Sequence, residues 1–125
     1  KSRLQMVVDE LDALREKFEG CTALAFADLS TRMILVTDSA SNLRREALDA
    51  LCAEAALLLG ANGKPALANK PSDMASVATT SQLRVFLRAE EERNDVLCCI
   101  CGPKMDADAF VVDASACLDR ISSGE

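Results

Sequence analysis

The chain has 125 residues, 14 Lys and Arg against 20 Asp and Glu, a net charge of −6, and no His, Trp or Tyr. That length supports one domain over 1–125 with a core of its own, and an apolar half argues against disorder. Without imidazole there is no Ser-His-Asp triad, no Cys-His pair and no His-ligated zinc, and an acidic chain whose only aromatics are four Phe is poorly suited to nucleic acid.

From Leu4 onward Val7, Val8, Leu11, Leu14 and Phe18 recur at helical spacing, with Asp9, Asp12, Arg15, Glu16 and Glu19 opposite. Ser2 and Gln5 fit a capping box, and Gly20 suits the left-handed residue that ends a helix. Residues 21–29 are apolar on both alternating faces, as in a central strand covered on each side, and 32–38 make a second strand at hairpin distance. Ser39, Ser41 and Asn42 are N-cap candidates for a second helix, in which Leu43, Ala47, Leu48, Leu51, Ala55, Leu58 and Leu59 follow the 3.6 period up to Gly60. Glu54 is the only charge in its second half, and a helix apolar nearly all round lies deep in its own core or is shared with another subunit.

Residues 61–72 hold two Pro, a Gly and two Asn and read as a loop. Strands are expected over 75–80, 83–89 and 96–101, the last two joined by a charged turn that includes Glu90, Glu91 and Glu92, read as solvated. After Gly102-Pro103 a final helix carries Phe110, Ala114, Cys117, Leu118 and Ile121 on one face, with Asp106 and Asp108 in its first turn, where the helix dipole favours negative charge. The longest apolar runs are about six residues, against roughly 20 for a bilayer span, and the N-terminus has no signal-peptide core. The chain therefore reads as soluble and cytoplasmic, without a membrane partner. Opening on Lys1 rather than Met, it reads as a piece of a longer chain.

The order is α-β-β-α-β-β-β-α. The first and fifth strands, apolar on both faces, belong at the centre; the third, rich in Ser and Thr, belongs at the periphery. Hairpin pairing then gives an α+β fold: a five-stranded antiparallel sheet ordered 2-1-5-4-3 with helices on both faces.

This order, together with Thr22-Ala-Leu-Ala-Phe-Ala-Asp28, Met33-Ile-Leu-Val36, the long second helix and the hairpin from Leu83-Arg-Val-Phe-Leu87 to Val96-Leu-Cys-Cys-Ile-Cys101, resembles the roadblock family of dynein light chains and their bacterial relatives. The resemblance covers nearly the whole chain and implies a roadblock/profilin-like fold in a non-enzymatic module without cofactor. It implies a homodimer, or a pair with a paralogous roadblock-like subunit, built from antiparallel second helices and edge-to-edge third strands. That surface takes in Leu48, Leu51, Ala55 and Leu58 on the helix and Val77 and Thr79 on the strand. It also implies a scaffold or regulator of a small Ras-like GTPase or a related signalling or motor assembly. Relatives often carry Gly between the first two strands, where this chain has Ser30-Thr31.

Six cysteines invite a metal or redox reading. Cys98 and Cys101 are formally C-x-x-C, but strand alternation sends them to opposite faces, so one metal ion is poorly held and small reduced core residues are the plainer reading. Cys99 and Cys101 share a face, which leaves some sensitivity to oxidation. Gly60-Ala-Asn-Gly63-Lys64 lacks the first Gly, the hydroxyl residue and the preceding strand of a phosphate loop. Arg84 and Arg88 flank Phe86 on one strand face, and Arg44 and Arg45 open the second helix; they read either as solvated charge or as a contact surface for an acidic partner or a GTPase switch region. Two carboxylates, Asp106 and Asp108, are too few for a calcium site. No pair of carboxylates is placed in an apolar pocket, so an enzyme is disfavoured. The alternative to an interaction module is a small-molecule-sensing domain with a ligand cavity between sheet and helix.

Overall fold

The computed structural model describes residues 2–60 and 73–124. Its elements are α1 (Arg3–Lys17), β1 (Cys21–Asp28), β2 (Met33–Thr37), α2 (Arg45–Leu59), β3 (Met74–Ala78), β4 (Leu83–Arg88), β5 (Asp95–Cys101) and α3 (Ala107–Ser123). The strands form one antiparallel sheet in the expected order, β2-β1-β5-β4-β3. The loop expected over 61–72, with Gly63-Lys64, lies outside the described residues.

Side-chain size alternates along the central strands and makes the two faces unequal. Leu24 and Phe26 of β1 join Val85, Leu87, Leu97 and Cys99 under α1 and α3. Ala25 and Ala27, with Phe86, Val96 and Cys98, face α2, the one helix on that side among the described residues. Alanines at the centre let that single helix approach the sheet closely.

Local chemistry explains the element ends, with some departures from expectation. Ser2 caps α1 by accepting the Gln5 N–H at 3.1 Å, but the Gln5 side chain donates forward to Asp9 at 2.9 Å, so only half of the capping box forms. Gly20 is not left-handed; α1 ends on Phe18 in an extended conformation. Space is tight there, since a Cβ would lie 3.1 Å from Cε of Met105, which would have to shift slightly. The left-handed residue falls instead at Arg32 (φ 56°), after a turn in which the Asp28 carboxylate accepts from the Ser30 N–H and hydroxyl. Asp106 caps α3 by accepting the Ala109 N–H at 3.2 Å, and Gly124 (φ 81°) closes it. Arg120 to Glu10 at 3.0 Å, and Lys17 to Asp113, tie α1 to α3.

The sheet edges differ. On β2, Val36 lies opposite Phe26 and Ile34 opposite Ala27, which leaves Leu35 as a bulge without a partner. β3 pairs residue for residue with β4 from Met74 opposite Leu87 to Ala78 opposite Leu83.

Asp95, at the start of β5, accepts the Ser122 hydroxyl at 2.8 Å. Burial pushes its carboxyl above the ordinary range, the Ser122 hydrogen bond and Arg3 pull it down, and Glu92 and Asp28 push it up. A raised pKa means that the folded chain holds this proton more tightly than the unfolded one, so the stabilisation is full below the ordinary carboxyl range and is lost as pH rises through the folded value. Asp95→Asn is therefore expected to raise the melting temperature at pH 7 by roughly 1–3 °C, with the gain shrinking toward pH 3 in a calorimetric series.

Candidate interaction surface

An all-round apolar helix has no preferred way to lie on a sheet unless polar groups orient it. Three ties from distant sequence orient α2. At its middle, Arg84 of β4 donates to both carboxylate oxygens of Glu54, at 2.7 and 3.0 Å. This bidentate bond raises the pKa of Arg84. At its C-terminal end, Arg88 of β4 donates to the Leu59 carbonyl at 2.5 Å and the Gly60 carbonyl at 2.6 Å, and also to the Arg93 carbonyl. A helix ends with unsatisfied carbonyls and partial negative charge, and a buried guanidinium answers both. Burial, then Arg93, lowers the pKa of Arg88.

The third tie precedes the helix. Asp38, only 1% exposed, accepts the Leu24 N–H at 2.9 Å and the Ser41 N–H at 3.1 Å, with Arg15 at 3.3 Å. Ser39 donates through N–H and hydroxyl to Asp12 at 2.8 and 2.7 Å. These serines are thus engaged elsewhere and do not cap α2, which begins after Arg44 with no side-chain cap.

With the helix fixed in this way, Leu51, Cys52, Ala55, Ala56 and Leu59 turn into the core. Leu51, 6% exposed, and Ala55 were expected on a shared surface; both belong to the chain's own interior, facing Phe86 and the alanines of β1. Leu48 and Leu58 are half-buried at the flanks, and Val77 of β3 is half-buried toward α2. Thr79 lies past the end of β3, where its hydroxyl accepts the Ser81 and Gln82 N–H groups and shapes the turn into β4. The outward line of α2 is Glu46, Ala50, Ala53 and Leu57, spaced by four, three and four residues; Leu57 is 54% exposed. Sequence reading missed Ala50, Ala53 and Leu57, although the exposed Glu46 marks their line.

The arginines expected to share a partner contact are separated. Arg44 and Arg45 are exposed at the start of α2, Arg45 with a 4.0 Å contact to Asp49 that contributes little in water. Arg84 is engaged by Glu54. Arg88, 8% exposed, is an internal helix cap and not a solvent-facing contact residue.

Beside the first turns of α2 lies an open cleft of about 650 Å³, lined by Thr22, Asn42, Leu51, Gln82, Arg84 and Ile100 among others. Its strongest polar groups are already engaged, Arg84 by Glu54 and the Thr22 hydroxyl by the Ile100 carbonyl at 3.0 Å. All six cysteines are buried and free of disulfides. As alternation implies, Cys98 faces α2 and Cys101 the other layer. Burial pushes the Cys117 thiol up to about 11, and it raises Cys98 and Cys99 as well. Among the described residues no group of three or more Cys, Asp or Glu is placed to hold a metal ion, and no helix is long and apolar enough to cross a membrane.

A sheet ordered β2-β1-β5-β4-β3, covered by two helices on one face and a single long helix on the other in this chain order, is the roadblock/LC7 fold. The chain is similar to a Roadblock/LC7 domain from Streptomyces avermitilis, with a TM-score of 0.71, 14% identity, and coverage of 91% of this chain and 92% of that one. It is similar to the gliding protein MglB from Thermus thermophilus, with a TM-score of 0.70, 14% identity, and coverage of 100% and 94%. Against MglB of Myxococcus xanthus the TM-score is 0.75 at 10% identity, with coverage of 98% and 96%. At these identities the likeness defines the fold. No family model matches the chain, and no curated protein is similar to it in sequence.

Proposed function

We propose that this chain is a non-catalytic, cytoplasmic protein-interaction module that pairs with a second copy of itself or with a paralogous roadblock-like subunit, and in that form scaffolds or regulates a small Ras-like GTPase. The outer face of α2 carries the proposal: Ala50, Ala53 and the half-exposed Leu57 leave apolar surface in water where a lone domain gains by polar residues. The regular edge of β3 adjoins that helix and, among the described residues, has no strand paired on its outer side, where a second strand can add. Exposed Arg44 and Arg45 supply a cationic corner for an acidic partner surface. Similarity in fold to a gliding protein agrees with work inside an assembly.

Light scattering at micromolar concentration is expected to give twice the chain mass; a stable monomer overturns the pairing. Leu57→Glu is expected to weaken association by about 100-fold or more, since each buried leucine contributes about 1.5–3 kcal/mol and a two-fold interface counts it twice. Circular dichroism should stay unchanged, because Leu57 is outside the inward set of α2. For the GTPase, capture of a small GTPase from lysate that depends on a GTP analogue over GDP supports regulation, and nucleotide-independent capture reduces the role to tethering. A second reading, a small-molecule sensor, draws on the open cleft, whose volume falls in the range of roughly 300–1,000 Å³ usual for ligand pockets. Saturable ligand stabilisation of a monomer favours that reading.

A further inference from the structure

The β1–β5 pairing sets two cysteines from opposite ends of the chain side by side. Cys21 lies opposite Cys101, and the next pair outward is bonded by the Gly102 N–H donating to the Gly20 carbonyl at 2.8 Å. In an antiparallel ladder that bond places Cys21 and Cys101 at a non-hydrogen-bonded site, where facing Cα atoms are about 4.5 Å apart. A disulfide spans Cα separations of about 4.4–6.8 Å, a range that takes in the spacing of such a site. Both residues belong to the layer under α1 and α3. Cys99 and Cys101, which the sequence places on one face, lie two residues apart on one strand, about 6.6 Å between Cα atoms and so at the upper end of that range, and Cys99 faces Leu24 across the ladder.

We infer that Cys21 and Cys101 form an oxidisable dithiol that closes within the native fold to a cross-strand disulfide, linking the α1–β1 junction to the β5–α3 junction. The oxidant is a small-molecule disulfide. One protein thiol loses its proton and attacks a sulfur of the reagent, breaking its S–S bond, releasing one reagent thiol and leaving a mixed disulfide. The second protein thiol loses its proton and attacks the protein sulfur of that mixed disulfide, releasing the other reagent thiol; two protein thiols are oxidised and one reagent disulfide is reduced. The adjacent Cys101 thiol first, then burial, holds the Cys21 thiol well above its ordinary range, so the first step is slow at neutral pH and quickens as pH rises.

The test uses the whole chain, incubated natively with glutathione disulfide at pH 7 and pH 9, quenched in acid, unfolded, alkylated and mapped by mass spectrometry. The expected result is a fall from six alkylated thiols to four, faster at pH 9, with the Cys21 and Cys101 peptides linked. Cys21→Ser and Cys101→Ser should each form no protein disulfide, the remaining thiol of the pair stopping at the mixed disulfide with glutathione. Six alkylated thiols after the same treatment of the wild-type chain, or linkage through Cys99, Cys98, Cys52 or Cys117, overturns the inference without use of any variant.

Discussion

Replacing Arg88 by methionine is expected to lower the unfolding free energy by about 3–5 kcal/mol, because a buried charged donor to several carbonyls is removed and those carbonyls lose that partner. Methionine matches the aliphatic stem, so the loss belongs to the guanidinium. Lysine should recover only part of it: one ammonium is a point donor, whereas the planar fork reaches the Leu59, Gly60 and Arg93 carbonyls from fixed directions. The midpoint of urea unfolding measures the loss, and native-state hydrogen exchange locates it in the last turn of α2. A change under about 1 kcal/mol would show that the helix end is held by its apolar contacts alone.

Asp38→Ala is expected to cost about 3–4 kcal/mol, and Asp38→Asn about 2–3 kcal/mol, by the same measurement. The alanine variant leaves the Leu24 and Ser41 N–H groups without their acceptor and the Arg15 guanidinium with only Asp12 and Glu16. Asparagine keeps one acceptor but sets its amide donors toward groups that are themselves donors. Arg15→Met should cost less, about 1–2 kcal/mol, because the two backbone donors keep their carboxylate. Equal losses in the Asp38→Asn and Arg15→Met variants would mean that the ion pair, and not the backbone contacts, carries the effect.

The sheet order was legible because the strands differ in kind: β1 and β5 are apolar on both faces, and β3 is polar enough to lie at an edge. The helices were legible where one side is charged, as in α1 and α3. On α2 the contrast disappears, since Ala and Leu occupy nearly every position of its second half. What turns Leu51 inward and Leu57 outward is Glu54 meeting Arg84 thirty positions later, and Arg88 reaching back to Leu59. Periodicity holds no record of such long-range pairs. Ser39 and Ser41 are favourable caps by local rules, yet Asp12 and Asp38 engage them first. The cysteine faces were read correctly from alternation, but which cysteine stands opposite Cys101 depends on the register of two strands far apart in sequence, and the bulge between Cys21 and Ala23 resets it.

The bulge at Leu35 carries a consequence for how far these chains can add to one another. A sheet with two regular ends invites head-to-tail addition, each copy joining the far end of the last, and such growth has no natural stop. Here β2 bends its outer backbone out of step at Leu35, while β3 runs five residues without interruption. An incoming strand therefore matches one end of the sheet only. In the proposed pairing, two copies joined through β3 bring their irregular strands to the outside, where a further strand finds no regular edge to continue.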